Sequence, residues 1–251
     1  MQTNSIYYRP HKVEIADVDF TRKIKLSKLF ENFQETASMH VDELGIGISN
    51  VQAKCNVAWI LVRMKVEIIR FPELKEDLII ETWPQKPTTI EYERDFRIKD
   101  SSGNIIVNAV SGWILVDIQT HEICKNNFIS LDQLLIPKER AIAGKIHRIT
   151  GFGNQELLYE RKIRYTDIDF NGHLNNSRYI DFAMDCLTID EHKKFRVKSF
   201  QVNYTHEALP GDTIRFYTGH HPENPLLRYI EGLKVENNTV VFRALIELTE
   251  R

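Results

Sequence analysis

The sequence predicts an α+β fold built twice over, each half a long helix wrapped by antiparallel strands. Two observations predict it. A short motif recurs at a separation of 150 residues, and after each copy the apolar spacing switches from helical to alternating. Asp17-Val18-Asp19-Phe20 and Asp167-Ile168-Asp169-Phe170 align without gaps. The register continues with Ile24 on Leu174, Ser27 on Ser177, Lys28 on Arg178 and Glu31 on Asp181.

Each element follows in order. After the first motif Leu26, Phe30, Phe33 and Ala37 recur at helical spacing; after the second, Ile180, Ala183, Met184 and Leu187 do the same. Strand material comes next. Ala58, Ile60, Val62, Met64, Val66 and Ile68 alternate with Trp59, Leu61, Arg63, Lys65 and Glu67, the period of a half-buried strand. A comparable run covers Phe195 to Tyr204. The turns Lys75-Glu76-Asp77 and Pro210-Gly211-Asp212 lead to further strands, Leu78–Trp83 and Thr213–Tyr217. The first half closes with Tyr92–Lys99 and Ile105–Asp117 around Asp100-Ser101-Ser102-Gly103. The second closes with Leu227–Glu236 and Thr239–Leu248 around Asn237-Asn238.

Between the halves, 126–153 reads as a connector, with Pro137, Gly144, Gly151 and Gly153, a basic set, and helical character around Leu131–Ile136. The expected domains are therefore 1–125, 126–153 and 154–251. A lone helix beside one sheet is buried only if the sheet wraps it, and two such units side by side suit a joined sheet. That is a tandem, or double, hotdog.

Composition narrows the function. With 42% hydrophobic and 27% charged residues the chain has a core and is not of the disordered class. A net charge of −2, well mixed, argues against general nucleic-acid binding. The residues from Met1 to His11 lack a basic-then-apolar leader, and no apolar run approaches a membrane span. Cys55, Cys124 and Cys186 are scattered and odd in number, which suits free thiols in a cytoplasmic protein.

The polar stretch from Asp167 to Ile180 is the candidate site. Asn175, Asn176 or Ser177 is placed to cap the following helix, whose amides and positive dipole end suit an oxyanion. Asn171 adds a side-chain donor, His173 is the natural proton carrier near neutral pH, and Asp169 orients its neighbours. A plainer reading makes Asn171-Gly172 a turn, Asp169 and Asn175 caps, and His173 a surface histidine. The repeat weighs against it. The first half has Thr21, Arg22 and Lys23 where the second has Asn171, Gly172 and His173, so the scaffold recurs and the chemically capable residues do not.

The segment resembles the Asp-x-Asn-x-His-x-Asn-Asn signature of the acyl-[acyl-carrier-protein] thioesterases, the plant-type fatty-acyl enzymes and their bacterial relatives. Tyr204-Thr205-His206-Glu207, followed by Gly211-Asp212, resembles their later strand. Trp59 to Met64, Arg70-Phe71-Pro72, Thr82-Trp83 and Val110 to Trp113 resemble their first half. The resemblance implies a double hotdog that hydrolyses fatty acyl-carrier-protein thioesters to free fatty acid, ending fatty acid synthesis, without metal or organic cofactor. Carried over by position, the catalytic set is Asp169, Asn171, His173 and Glu207.

Plant members often carry Cys directly after that Glu. Here the residue is Ala208, which removes a cysteine nucleophile at that place. Cys186 reads as packing. The implied mechanism has Glu207 and His173 activate a water, with Asn171 and the helix amides holding the thioester oxygen; a covalent acyl-carboxylate is the competitor. Glu207 shares strand parity with Ser199, Gln201, Asn203 and Thr205, a polar face that fits either solvent or the wall of a wet site.

The acyl chain is expected in the first half, near Phe30–Met39 and Val57–Met64. The acidic carrier protein is expected on a basic rim drawn from Arg140, Lys145, Arg148, Arg161, Lys162, Arg164 and Arg178. An acyl-CoA thioesterase, a hotdog dehydratase or hydratase and a non-catalytic acyl-binding module stay open as alternatives. A homodimer is compatible with the reading but not required, because a double hotdog completes its own pairing.

Overall fold

The computed structural model describes residues 3–125, 129, 131–151 and 154–251. The chain forms two compact units, Met1–Ile146 and His147–Arg251. Among the described residues no helix is long and apolar enough to cross a membrane.

In the first unit β1 (Thr3–Asn4) and β2 (Tyr7–Lys12) precede α1 (Leu26–Glu43) and α2 (Ile48–Cys55). Then come β3 (Val57–Ile68), β4 (Asp77–Pro84), β5 (Glu91–Asp100), β6 (Ile105–Asp117) and β7 (Leu134–Leu135). The antiparallel sheet runs β2-β4-β5-β6-β3. Helix α1 buries the expected stripe of Leu26, Phe30, Phe33 and Ala37, with Phe33 against Phe96 at 5.0 Å between ring centroids. It stops in a Schellman turn. Gly45 takes φ +70, and the amides of Ile46 and Gly45 return to the carbonyls of Val41 and Asp42 at 2.9 and 3.0 Å.

Strand β3 does not keep one alternation throughout. Leu61 pairs Trp113 and Arg63 pairs Gly112, so Val62 is an extra residue in the ladder. A one-residue bulge exchanges the two faces. Val57 and Leu61 are therefore buried before it, Met64, Val66 and Ile68 after it, and Ala58, Ile60 and Val62 are only half-buried.

The expected helix around Leu131–Ile136 is instead a turn followed by β7, which pairs in parallel with β1. Leu131 and Leu134 are buried against Val51, Val57, Tyr92 and Leu115, and Leu135 accepts a 2.7 Å bond from the Ser5 hydroxyl. Burial of spaced leucines imitates helical periodicity here, and Pro137 leaves no room to propagate a helix. The connector residues up to Ile146 pack on the first unit, with Ile142 and Ile146 against Val110. Residues 126–128, 130, 152 and 153 of that connector, including Gly153, lie outside the described residues.

The second unit contains β8 (Gln155–Lys162), α3 (Asn176–Met184), α4 (Ile189–Lys194), β9 (Phe195–Tyr204), β10 (Thr213–His220), β11 (Leu227–Lys234) and β12 (Val240–Glu250). Its antiparallel sheet runs β9-β12-β11-β10-β8. Tyr179, Ile180, Phe182 and Ala183 are buried on α3, and Phe182, Phe216 and Phe242 form the aromatic centre of the core.

The long helix expected in this half is short: α3 has nine residues. Thr188 and Glu191 exchange the bonds of a capping box, at 3.2 and 2.8 Å, and these start α4. Leu187 is buried beyond the end of α3, and Met184 is half-buried.

Candidate active site

The polar loop before α3 is held by main-chain bonds together with the carboxylates of Asp169 and Asp167. Ile168 and Leu174 form a β-bridge that closes it. Within the closure the Asp169 amide donates to the His173 carbonyl at 2.8 Å, and the Gly172 amide to the Asp169 carbonyl at 3.1 Å. Gly172 takes φ +83, left-handed backbone that glycine adopts at least cost. The Asp169 carboxylate accepts from the amides of Asn171 (2.9 Å) and His173 (3.3 Å). Asp169 therefore fixes the turn that presents the other two residues, an Asx arrangement. Asp167 is buried beneath, bonded by the Arg164 amide at 3.0 Å and the Arg161 guanidinium at 3.1 Å.

Asn175 is the cap of α3. Its side chain accepts from the amide and the hydroxyl of Ser177 at 2.8 and 2.9 Å, and its carbonyl accepts from the Arg178 amide at 2.9 Å. This corrects one expectation. The amides of Ser177 and Arg178 are engaged by the cap and do not point free donors at an oxyanion. Asn171 is exposed at the tip of the loop and belongs to the donor set expected from the sequence.

Glu207 arrives from a different direction. Beyond β9, the Thr205 amide donates to the Val241 carbonyl at 2.9 Å and its hydroxyl to the Val240 carbonyl at 2.6 Å. The Leu174 amide donates to the Ala208 carbonyl at 2.9 Å and ties the two segments together. The Leu209 amide bonds Asp212, which Lys234 pairs at 2.8 Å. Between these fixed points the Glu207 carboxylate lies 3.4 Å from His173 Nε2. The His173 and Glu207 side chains are 37% and 59% exposed, so water reaches both.

The polar face of β9 has a different use. Gln201 donates to the His147 carbonyl at 2.6 Å, and Asn203 accepts from the Ile149 amide at 2.8 Å. These residues anchor the connector, and Glu207 lies past the strand's end.

Two tyrosines bond the segments that carry the pair. Tyr179 is buried with its phenolic oxygen hydrogen-bonded by the Ala208 backbone; burial, with Glu207, Asp212 and Asp169 nearby, drives its pKa well up. Tyr204 donates to the Asn176 carbonyl at 3.1 Å and meets Tyr179 edge-on at 5.6 Å. Sequence reasoning gave them no role; the signal was Tyr179, an aromatic one residue off the apolar stripe of α3. Cys186 donates to the Phe182 carbonyl, and burial pushes its thiol up to about 12, far from a nucleophilic thiolate. Ala208 is fully buried.

The first unit repeats the main-chain bonds of this frame. The Asp19 amide bonds the Lys23 carbonyl, the Arg22 amide the Asp19 carbonyl, the Lys25 amide the Asp17 carbonyl and the Ile24 amide the Pro72 carbonyl, all at 2.8–3.0 Å. Asp19 accepts from the Thr21 amide at 2.7 Å, and Arg22 takes φ +62 where Gly172 takes +83. The tie to Pro72 shows that the offset is 150 at Ile24 and Leu174 but 136 at Pro72 and Ala208. Glu207 therefore corresponds to Phe71, and Lys23 is taken up by an ion pair with Glu73. All three candidate side chains, Asn171, His173 and Glu207, are absent from the first copy of the frame.

The chain matches two family models, the acyl-ACP thioesterase N-terminal domain over residues 4–127 and the acyl-ACP thioesterase C-terminal domain over residues 153–249. It is 24% identical to oleoyl-acyl carrier protein thioesterase 2, chloroplastic, of Arabidopsis thaliana, covering 100% of this chain and 74% of that protein. It is 20% identical to the palmitoyl-acyl carrier protein thioesterase of the same plant, covering 83% of this chain and 53% of that protein. Among solved structures it is similar to an acyl-ACP thioesterase from Bacteroides thetaiotaomicron, with 26% identity, TM-score 0.89 and 98% of each chain covered. It also matches the fold of a 12:0-ACP thioesterase from Umbellularia californica, with 17% identity, TM-score 0.84 and 99% of each chain covered.

Proposed function

This chain belongs to the acyl-ACP thioesterase family, and from that premise we propose that it hydrolyses fatty acyl-carrier-protein thioesters through His173 and Glu207. The observation that carries the residue assignment is the 3.4 Å approach of Glu207 to His173 Nε2, across two segments tied by the Leu174–Ala208 bond. A water beside this pair loses a proton to it as its oxygen attacks the thioester carbonyl carbon. The side-chain amide of Asn171 donates to the oxygen that becomes negative. When the carbon–sulfur bond breaks, His173 returns the proton to the departing thiolate, leaving free acid and carrier thiol. Asp169 acts by holding the loop.

We place the acyl chain in the first unit, near Phe30–Met39 and Val57–Met64, where Phe30, Phe33, Val57 and Met64 are buried. The three free cysteines support a reducing, cytoplasmic setting.

His173→Ala and Glu207→Gln should each lower kcat by about 10²- to 10⁴-fold, the usual loss of one acid–base partner. Steady-state turnover of an acyl-carrier-protein thioester measures it; activity within about tenfold of wild type for both variants would remove the assignment. Quenching the enzyme during turnover and weighing the intact protein separates the two routes, because an acyl-carboxylate adds the acyl mass and water attack adds none.

A further inference from the structure

The loops that hold His173 and Glu207 also carry large apolar side chains into solvent. Tyr165 is 93% exposed, Phe170 80% and Leu209 45%. Their places are fixed by the site's own frame. Tyr165 begins the short 3-10 turn that leads into the Asp169 loop, and Phe170 stands between Asp169 and Asn171. Leu209 follows Glu207-Ala208 in the segment bonded to Leu174. The Gly211 amide reaches the Ile163 carbonyl at 3.1 Å, bringing the Leu209 turn beside Arg164 and Tyr165. Large apolar side chains exposed together are the kind of surface that a partner can cover.

The charge on this collar points to the partner. Of the basic residues considered from the sequence, Arg140 is held by Glu93 and Asp95, Arg161 by Asp167 and Arg178 by Asp181. Lys145, Arg148, Lys162 and Arg164 are exposed, and none of them forms an ion pair among the described residues; Arg164 is the one next to Tyr165. The first copy of the frame supplies the comparison. It has Ile15 and Phe20 where the second has Tyr165 and Phe170, and both are exposed. At the positions of Arg164 and Leu209, however, it has Glu14 and Glu73. Exposed apolar groups therefore come with the frame, while the site-bearing copy alone exchanges two carboxylates for a guanidinium and an isobutyl group.

We propose that Arg164, Tyr165, Phe170 and Leu209 form the docking collar for the protein that delivers the thioester, an acidic acyl carrier protein seated directly over His173 and Glu207. The proposal rests on the thioesterase reading, since a carrier linked through the thioester must approach the reacting carbonyl from the surface around the pair. Aromatic and arginine side chains supply the strongest anchors in such contacts, and the cation steers an acidic partner.

The test compares Arg164→Glu and the double variant Tyr165→Ser with Phe170→Ser against wild type. Two substrates carry the same acyl group, one on acyl carrier protein and one on pantetheine. KM for the carrier substrate should rise about tenfold or more with kcat held, while kcat/KM for the pantetheine thioester stays within about twofold. Rising salt should raise KM for the carrier substrate alone.

Equal losses on both substrates, or no change on either, overturn the collar. So does a wild-type dimer that the double variant dissolves on sedimentation with carrier KM unchanged, which would make the surface a self-association face. Calorimetric binding of the phosphopantetheine-bearing carrier protein to wild type and variants reads docking without turnover. If wild type binds the carrier but hydrolyses neither thioester, the collar stands and the thioesterase reading fails; equal binding by wild type and variants overturns the collar itself.

Discussion

Asp169 makes its contribution through one carboxylate oxygen, which takes the amides of both Asn171 and His173. An amide oxygen does the same work without charge, so Asp169→Asn should keep kcat within about tenfold of wild type, whereas Asp169→Ala should fall further. Turnover of one thioester by the two variants gives the answer; equal, deep losses would mean that the charge itself takes part. At this scale the loop was largely legible, because Asp169, Asn171 and His173 lie within five consecutive residues and the first copy shows what they replace. The position opposite Glu207 was not. The register slips from 150 to 136 across a stretch that holds α2 in the first unit, so the match to Phe71 emerges only from the bonds to Pro72 and Ala208.

The two principal helices begin by different means. Asn175 caps α3 with its side chain, whereas Lys25 at the start of α1 makes no side-chain cap. Helix α1 has 18 residues and a deep apolar stripe to hold it; α3 has nine and relies more on its start. Asn175→Ala should therefore cost about 1 kcal/mol of stability, read as a shift in the urea midpoint. Lys25→Ala should leave the midpoint nearly unchanged. Elements with strong periodicity were visible in the sequence. The bulge at Val62 was not, since Leu61, Val62 and Met64 are all apolar and suit either face. The connector misled because Leu131 and Leu134 are buried by tertiary packing at a spacing a helix also shows.

Protonation reaches the stability of the first unit through His40. It is buried on α1 with its ring stacked on Tyr7 at 5.5 Å and Nδ1 2.9 Å from the Arg94 guanidinium. Burial first, and the Arg94 charge second, lower its pKa to about 4. Burial lowers His11 in the same direction. Between an unfolded value of 6.5 and a folded value of about 4 the unfolded chain binds the extra proton, so stability is lost as pH falls through that window. The loss attributable to His40 reaches up to about 3 kcal/mol, and His40→Gln should flatten the slope of urea midpoint against pH. A wild-type midpoint unchanged between about pH 7 and about pH 4.5 would contradict it. None of this was legible in the sequence, where His40 reads as one more polar residue on a helix. Its surroundings come from tertiary packing, with Tyr7 of β2 and Arg94 of β5 against it.

The twin frames around Asp169 and Asp19 share one set of main-chain amide-to-carbonyl bonds. Substitutions at the displayed positions Thr21, Lys23, Asn171 and His173 leave these bonds in place unless they bring proline. A mount of that kind is indifferent to what it displays. The same main-chain bonds carry Thr21, Arg22 and Lys23 in one unit and Asn171, Gly172 and His173 in the other. Asymmetry between the halves therefore costs this architecture little, and the Asp19 frame is a place where new chemistry could be installed.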